Sequence, residues 1–151
     1  VSSILEPFQW MHTVVTATEW DNFFASRCHP DAQPEMQSLA WAMREAMDAS
    51  TPWPTEHHFP YVREEDGVMS MWRRAMISAA RCARVSYLKH DGTAPSIGED
   101  LALFERLAGG TPIHASPLEH QGFAMEHPRR RSRNFVGWWQ FRELFEERSL
   151  A

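Results

Sequence analysis

Amphipathic helical segments, separated by residues that end helices, are the feature that most limits what this chain can fold into. Between 31 and 49, and again between 68 and 87, apolar residues recur at intervals of three and four. Pro30 precedes the first segment, three prolines lie between 50 and 66, and Gly109-Gly110 follow a shorter helical segment at 97–107. The pattern predicts separate helices that pack against one another.

The remaining segments predict a smaller β component. The aromatic and β-branched stretch 8–18 favours a strand, and Thr18 resembles the N-cap of a helix that ends near His29. Residues 122–125 alternate weakly and predict a short strand, 129–133 a polar loop, and 135–148 a Trp-rich amphipathic helix. The expected class is α+β, dominated by helices, with a small mixed or antiparallel sheet.

Length and composition exclude several classes of protein. The 151 residues suit one domain, and 43% hydrophobic with 23% charged residues is ordinary globular composition. A net charge of −5 argues against bulk nucleic-acid binding, and no apolar run reaches the roughly 20 residues that span a bilayer. Cys28 and Cys82 form no paired motif, as expected for the cytoplasm. The start lacks Met and any signal peptide, so 1–151 is expected to be one incomplete domain.

Two polar segments suggest binding sites but have plainer explanations. His114, His120 and His127 lie six and seven residues apart, which is not the spacing of a zinc site, and no metal is expected. The arginines within 129–133 precede Trp138 and Trp139, a combination typical of single-strand nucleic-acid binding. A solvated loop explains these arginines equally well, and the acidic net charge favours that interpretation.

Three segments together resemble the flavin-dependent thymidylate synthases, the ThyX family. NFFASRCHPDAQPEM (22–36) is similar to a family segment with the pattern [HN]-F-x-x-x-R, followed by A-Q-x-E. ARCARVSY (80–87) resembles A-A-R-V-S, and HASPLEHQGFAME (114–126) resembles H-x-S-P-F-E-H-x-x-F-x-F. WWQFR (138–142) is similar to a degraded form of the family's Q-x-x-R, in which Arg142 is aligned and Gln140 is one place out of step.

The resemblance implies an enzyme that converts dUMP to dTMP with FAD, NADPH and methylenetetrahydrofolate, as a homotetramer. It implies that Arg27 is catalytic, stabilising charge on the pyrimidine or clamping a phosphate. The implied cofactor-binding residues are Ser86, Glu119, His120 and Arg142. The implied substrate-binding residues are Asn22, Arg27, Gln33 and Gln140.

The chain also departs from the family pattern. The family signature R-H-R-x-x-S-x-N-E-x-S-x-R-Y is not in this sequence, where Arg142-Glu143-Leu144 stands in place of R-H-R. The segment with Arg27 precedes the other two, whereas it normally follows them. This order resembles the C-terminal half of longer, rearranged phage and bacterial members. The alternative is a non-catalytic relative that binds nucleotides or forms oligomers.

Overall fold

Five α-helices carry most of the regular structure of the described residues. The computed structural model describes residues 12–63, 66–85 and 93–149. The helices are α1 (Asp21–Arg27), α2 (Pro34–Asp48), α3 (Met71–Arg84), α4 (Ile97–Ala108) and α5 (Phe141–Ser149). A short 3₁₀-helix spans Ser116–Glu119. No described helix is long and apolar enough to cross a membrane.

The ends of α3 and α4 are set by local sequence. The Ser70 hydroxyl accepts a hydrogen bond from the Arg73 amide at the start of α3. At the start of α4, the Ser96 hydroxyl accepts from the Glu99 amide, and the Glu99 carboxylate accepts from the Ser96 amide at 2.7 Å. This capping box satisfies two amides that the helix cannot pair internally.

Two small antiparallel sheets lie against the helices. The first contains β1 (His57–His58), β2 (Gly122–Ala124) and β5 (Trp138–Gln140), with β2 in the centre. Gly122 pairs with Gln140 on one side and with His58 on the other. The second sheet is the pair β3 (Arg131–Ser132) and β4 (Phe135–Val136). The fold is therefore α+β with a small antiparallel sheet, as the sequence predicts.

The core forms where α3 meets α4 and α5. Small residues on α3 face the large rings of the other two helices, so the helix axes can approach closely. Phe141 at the start of α5 is fully buried, and its ring centroid lies 5.0 Å from that of Trp72. The buried cluster consists of Ala75, Ala79, Ala80, Phe104, Ala108, Leu118 and Phe141.

The structure contradicts the strand predicted at 8–18, confirms the short strand predicted at 122–125 as β2, and confirms most of the predicted helices. Helices predicted at 31–49, 68–87 and 97–107 are found as α2, α3 and α4. The strand predicted at 8–18 is wrong for its described part, since residues 12–18 form no strand. Thr18 caps no helix; its hydroxyl accepts a hydrogen bond from the Val136 amide at 2.9 Å, and Trp20 takes the N-cap position of α1.

The helix predicted over 135–148 is wrong at its start. Residues 135–140 form β4 and β5, and the helix begins only at Phe141. The turn between these strands needs Gly137, which has φ +74°, and a Cβ there would lie 2.8 Å from the Pro128 carbonyl oxygen. Likewise, the loop predicted over 129–133 contains strand β3, and the loop predicted over 50–66 contains strand β1.

Candidate functional site

A cavity of about 790 Å³ lies at the C-terminal end of α3. Its walls come from four parts of the chain: the end of α3, the second half of α4, the segment 114–120 that contains the 3₁₀-helix, and residues 12–14. The lining residues are His12, Thr13, Val14, Cys82, Ala83, Arg84, Val85, Leu103, Arg106, Leu107, His114, Ala115, Ser116, Pro117 and His120.

Packing fixes the loop that forms one wall of this cavity. The His114 amide donates a hydrogen bond to the Leu107 carbonyl at 3.0 Å, which ties the loop to the end of α4. Leu118 is 1% exposed within the core and anchors the 3₁₀-helix. His120 follows this helix directly, so its position depends on the burial of Leu118.

Basic side chains line the described part of the cavity wall. Arg84 and Arg106 contribute guanidinium groups, and His12, His114 and His120 contribute imidazoles, whereas none of the described lining residues is Asp or Glu. The whole chain carries a net charge of −5. A cavity whose wall has the opposite sign to the molecule favours an anionic ligand.

Arg84 belongs to an ion-pair network beneath the cavity. Asp100 is fully buried and accepts from Arg81 Nε at 2.8 Å and from Arg84 Nε at 3.2 Å. Arg81 also forms a bidentate pair with Asp66, with both N···O distances 2.7 Å. Arg81 holds the pKa of Asp66 below its usual range by hydrogen bonding, and Asp66 in turn raises the pKa of Arg81. The network joins α3, α4 and the loop before α3.

Cys82 lies on the cavity wall but is not an activated thiol. Burial raises its pKa to about 11, although hydrogen bonds from Ser78 and Gln121 oppose the change. A thiol with this pKa is protonated at neutral pH and is a weak nucleophile. Covalent chemistry at Cys82 is therefore not expected.

His120 is held as a neutral imidazole. Burial lowers its pKa below the ordinary value of 6.5; the nearby Glu119 carboxylate opposes this change and His58 adds to it. Its Nδ1 lies 3.2 Å from the Thr16 hydroxyl, within hydrogen-bond distance. Burial likewise lowers the pKa of His58. At neutral pH the imidazole of His120 thus adds hydrogen-bonding capacity without a full charge.

The lowered pKa of His120 makes stability depend on pH. In the unfolded chain this imidazole takes up a proton near its ordinary pKa of 6.5, whereas in the folded protein it resists protonation to lower pH. The unfolded state then binds more protons, so the free energy of unfolding falls as pH drops through this window. We expect a lower urea midpoint at about pH 5.5 than at about pH 7.5, and a smaller difference in His120→Gln. His58 keeps part of the effect in the variant, and equal differences in both proteins would contradict the prediction.

Glu119, Gln140 and Arg142 form a second polar cluster beside the cavity. The Arg142 guanidinium pairs with Glu119 and, at 2.8 Å, with Glu146, and these two carboxylates raise its pKa. Gln140 is 1% exposed, and its side-chain amide donates to Asn134 and to the Glu119 carbonyl. The side-chain Oε1 of Gln140 has no hydrogen-bond partner among the described residues. None of the three lines the cavity.

The helical pair α1–α2 carries the other predicted site residues. Asn22, Arg27 and Gln33 are all exposed, and none of them lines the cavity. Arg27 ends α1 and makes no side-chain hydrogen bond or ion pair to any residue that the structure describes. Its guanidinium is therefore available to a ligand or to another chain.

Other residues noted in the sequence are placed differently. Ser86 lies outside the described residues; Val85, which precedes it, lines the cavity. Arg130 lies over the ring of Trp139 at 4.5 Å, while Arg131 pairs with Glu19 at 2.8 Å. Within 12–63, 66–85 and 93–149, no three His, Cys, Asp or Glu side chains group closely enough to hold a metal ion.

Sequence reasoning missed the basic wall of the cavity. The signal available was Arg81 and Arg84, three residues apart and therefore on one face of a helix. Asp100, in the first turn of the following helix, supplies the carboxylate that joins them. Arg106 had no local signal, since only the packing of α4 against α3 brings it to the cavity.

The comparisons with known proteins support one of the three resembling segments. The family model described as thymidylate synthase complementing protein matches residues 8–53, just under a third of the chain. This range includes α1 and α2 with Asn22, Arg27 and Gln33. No curated protein and no solved structure matches significantly. The family match supports a relationship to the ThyX family.

Proposed function

We propose that this chain is a subunit, or part of one, of a flavin-dependent thymidylate synthase, on the premise of its relationship to the thymidylate synthase complementing protein family. The proposed reaction is reductive methylation of dUMP to dTMP, with NADPH and methylenetetrahydrofolate as co-substrates. The proposed location is the cytoplasm. Because FAD carries the redox chemistry when bound, the chain's own residues need only bind and orient the reactants.

One observation carries this proposal: two of the resembling segments line the same cavity. Residues Cys82–Val85 belong to ARCARVSY, and His114–Pro117 with His120 belong to HASPLEHQGFAME. These segments are separated in sequence by the whole of α4. A shared binding site requires both segments to line one cavity. The packing of α4 against α3 does not by itself bring them together.

The cavity fits a flavin nucleotide in size and chemistry. Its volume of about 790 Å³ lies within the usual range of cofactor sites, about 300–1,000 Å³. Val85, Leu103 and Leu107 give it an apolar wall for a planar ring, and the basic groups suit a phosphorylated ligand. In this proposal Ser86 and His120 contact the flavin, and Glu119 and Arg142 border its site.

The substrate is assigned to the other group of residues. Arg27, with Asn22 and Gln33 nearby in sequence, would hold dUMP, and Gln140 would approach the ligand from β5. Arg27 lies outside the cavity lining. A site that uses both the cavity and Arg27 is therefore proposed to form between subunits of a homotetramer.

The visible spectrum of the purified protein tests the flavin assignment. We expect protein-bound absorbance at about 450 nm, as for oxidised flavin, either as purified or after incubation with FAD and removal of unbound FAD by gel filtration. Formation of dTMP from dUMP, measured with NADPH and methylenetetrahydrofolate present, tests the reaction itself. A protein that is colourless after this incubation and gel filtration would overturn this function and support the non-catalytic alternative.

Replacing Arg27 by alanine is expected to weaken dUMP binding by about tenfold or more. A guanidinium–anion hydrogen bond is worth about 1.5–3 kcal/mol, and tenfold in affinity corresponds to about 1.4 kcal/mol. Arg27→Lys keeps the positive charge but not the paired donors of the guanidinium, so its affinity for dUMP should lie between those of the wild type and Arg27→Ala. Calorimetric titration with dUMP measures both.

The control for this substitution is Arg44→Ala. Arg44 is an exposed arginine on α2 whose distance of 3.8 Å to Asp48 marks a weak surface pair. The Arg44→Ala substitution removes one positive charge from the same helical pair, α1–α2, at a residue outside the proposed site. If Arg27→Ala and Arg44→Ala bind dUMP equally well, the role of Arg27 is refuted.

A further inference from the structure

We propose that Arg84 and Arg106 together bind the phosphate groups of the nucleotide that occupies the cavity. Both residues line the cavity, Arg84 from the last turn of α3 and Arg106 from the last turn of α4. The inference deepens the proposed function and rests on it for the identity of the nucleotide. The ligand chemistry that the residues themselves specify is a phosphate or diphosphate ester.

Arg84 supplies fixed hydrogen-bond donors. Its Nε is held by the buried Asp100 carboxylate, and its Nη2 donates to the Glu99 carbonyl at 2.9 Å. Its Nη1 donates to no residue that the structure describes. A guanidinium fixed at two nitrogens leaves its remaining N–H groups in a set direction, which lowers the entropy cost of binding an anion.

Arg106 supplies the net charge. Asp66, Arg81, Asp100 and Arg84 form a network of two cations and two anions, so Arg84 adds little net charge to the cavity. Arg106 is exposed and pairs with no carboxylate among the described residues. Arg84 thus orients the anion, and Arg106 attracts it.

Two other arginines, Arg131 and Arg142, are less suited to this role. Arg142 is shared between Glu119 and Glu146, and Arg131 is paired with Glu19. An anion approaching either one would meet a carboxylate. The lining residues that the structure describes present no carboxylate to an anion.

The test compares ligands that share one part and differ in phosphates. FAD and riboflavin carry the same ring system, and inorganic pyrophosphate carries only the charged part. In Arg106→Ala we expect affinity for FAD and for pyrophosphate to fall at least about tenfold, with riboflavin binding unchanged within about twofold. Arg84→Gln removes the fixed guanidinium donors and should show the same selectivity, with weaker binding of FAD and pyrophosphate and unchanged binding of riboflavin. Arg44→Ala, outside the cavity, controls for the change in total charge.

Each outcome decides the proposal, and the two proposals fail separately. If both variants bind FAD and pyrophosphate as tightly as the wild type, the phosphate site is refuted while the flavin assignment stands. If the wild type binds no flavin but binds pyrophosphate through Arg84 and Arg106, the phosphate site stands and the proposed function fails. A wild type that binds none of the three ligands overturns both. Arg106 is exposed, so its variant should fold, and a thermal melt verifies this.

Discussion

Replacing Phe141 by alanine is expected to destabilise the protein by about 3–5 kcal/mol, the usual cost of truncating a buried phenylalanine. Phe141 is fully buried, and its ring centroid lies 5.0 Å from that of Trp72 and 6.1 Å from that of Phe104. Truncation leaves a cavity where α3, α4 and α5 meet. Since domains of this size have a total stability of about 5–15 kcal/mol, much of the population would unfold on mild heating.

Urea denaturation measures this loss, and two further variants define it. Phe141→Leu removes less volume and should cost clearly less than Phe141→Ala. Leu39→Ala alters a side chain that is 53% exposed on α2, and its effect should stay within about 0.5 kcal/mol. A Phe141→Ala protein no less stable than Leu39→Ala would show that the aromatic cluster is not the core.

Replacing Asp100 by asparagine is expected to cost about 3 kcal/mol, at the low end for breaking a buried ion pair. Asp100 is fully buried, and its carboxylate joins Arg81 to Arg84. The asparagine fills the same space but leaves two guanidinium groups without their shared charge. The low end applies because Arg81 keeps its bidentate pair with Asp66.

Asp48→Asn is the matched control for this substitution. Asp48 is 76% exposed, and its carboxylate lies 3.8 Å from Arg44 on the same helix. Exposed pairs of this kind contribute about 0–1 kcal/mol. If thermal unfolding shows the same small loss in both variants, the buried network does not stabilise the fold, and the positioning of Arg84 must have another origin.

Local sequence was sufficient to predict α2, α3 and α4. The apolar spacing of α2, α3 and α4 and their flanking prolines and glycines are all short-range signals. The capping box at Ser96 and Glu99 involves only residues three apart. Helices α3 and α4 bury the face that their own periodicity defines, whereas α2 buries only Ala40, and in all three the spacing alone locates the helix.

Apart from β2, which was predicted at 122–125, the strands could not be predicted in the same way. His57–His58 becomes a strand only because Gly122 and Phe123 pair with it, more than sixty positions further along the chain. The stretch 135–140 has aromatic residues at spacings that suit a helix. It forms strands instead because β5 pairs with β2 and because the turn before β5 passes so close to Pro128 that only glycine fits at 137. Such strands of two and three residues are defined by tertiary pairing rather than by propensity.

The residues of the candidate site also divide into those that the sequence could predict and those that depend on tertiary packing. Sequence resemblance singled out His120 and the segment 80–87, and the structure brings His120 and Cys82–Val85 of that segment to one cavity, while Ser86 lies outside the described residues. It also brings Glu119, Gln140 and Arg142 together in one cluster. Arg106 and Asp100 were missed because their importance depends on α4 packing against α3, which no local pattern encodes.

The shallow packing of α1 and α2 has a consequence for amide hydrogen exchange. α1 has no buried residue and α2 has only Ala40, whereas α3 has six. Amides in α1 and α2 can therefore exchange through local openings that leave the core intact, while those of α3 require global unfolding. Because Arg27 lies on the fast-exchanging side, slowing of α1 exchange on adding dUMP would report binding there directly, residue by residue.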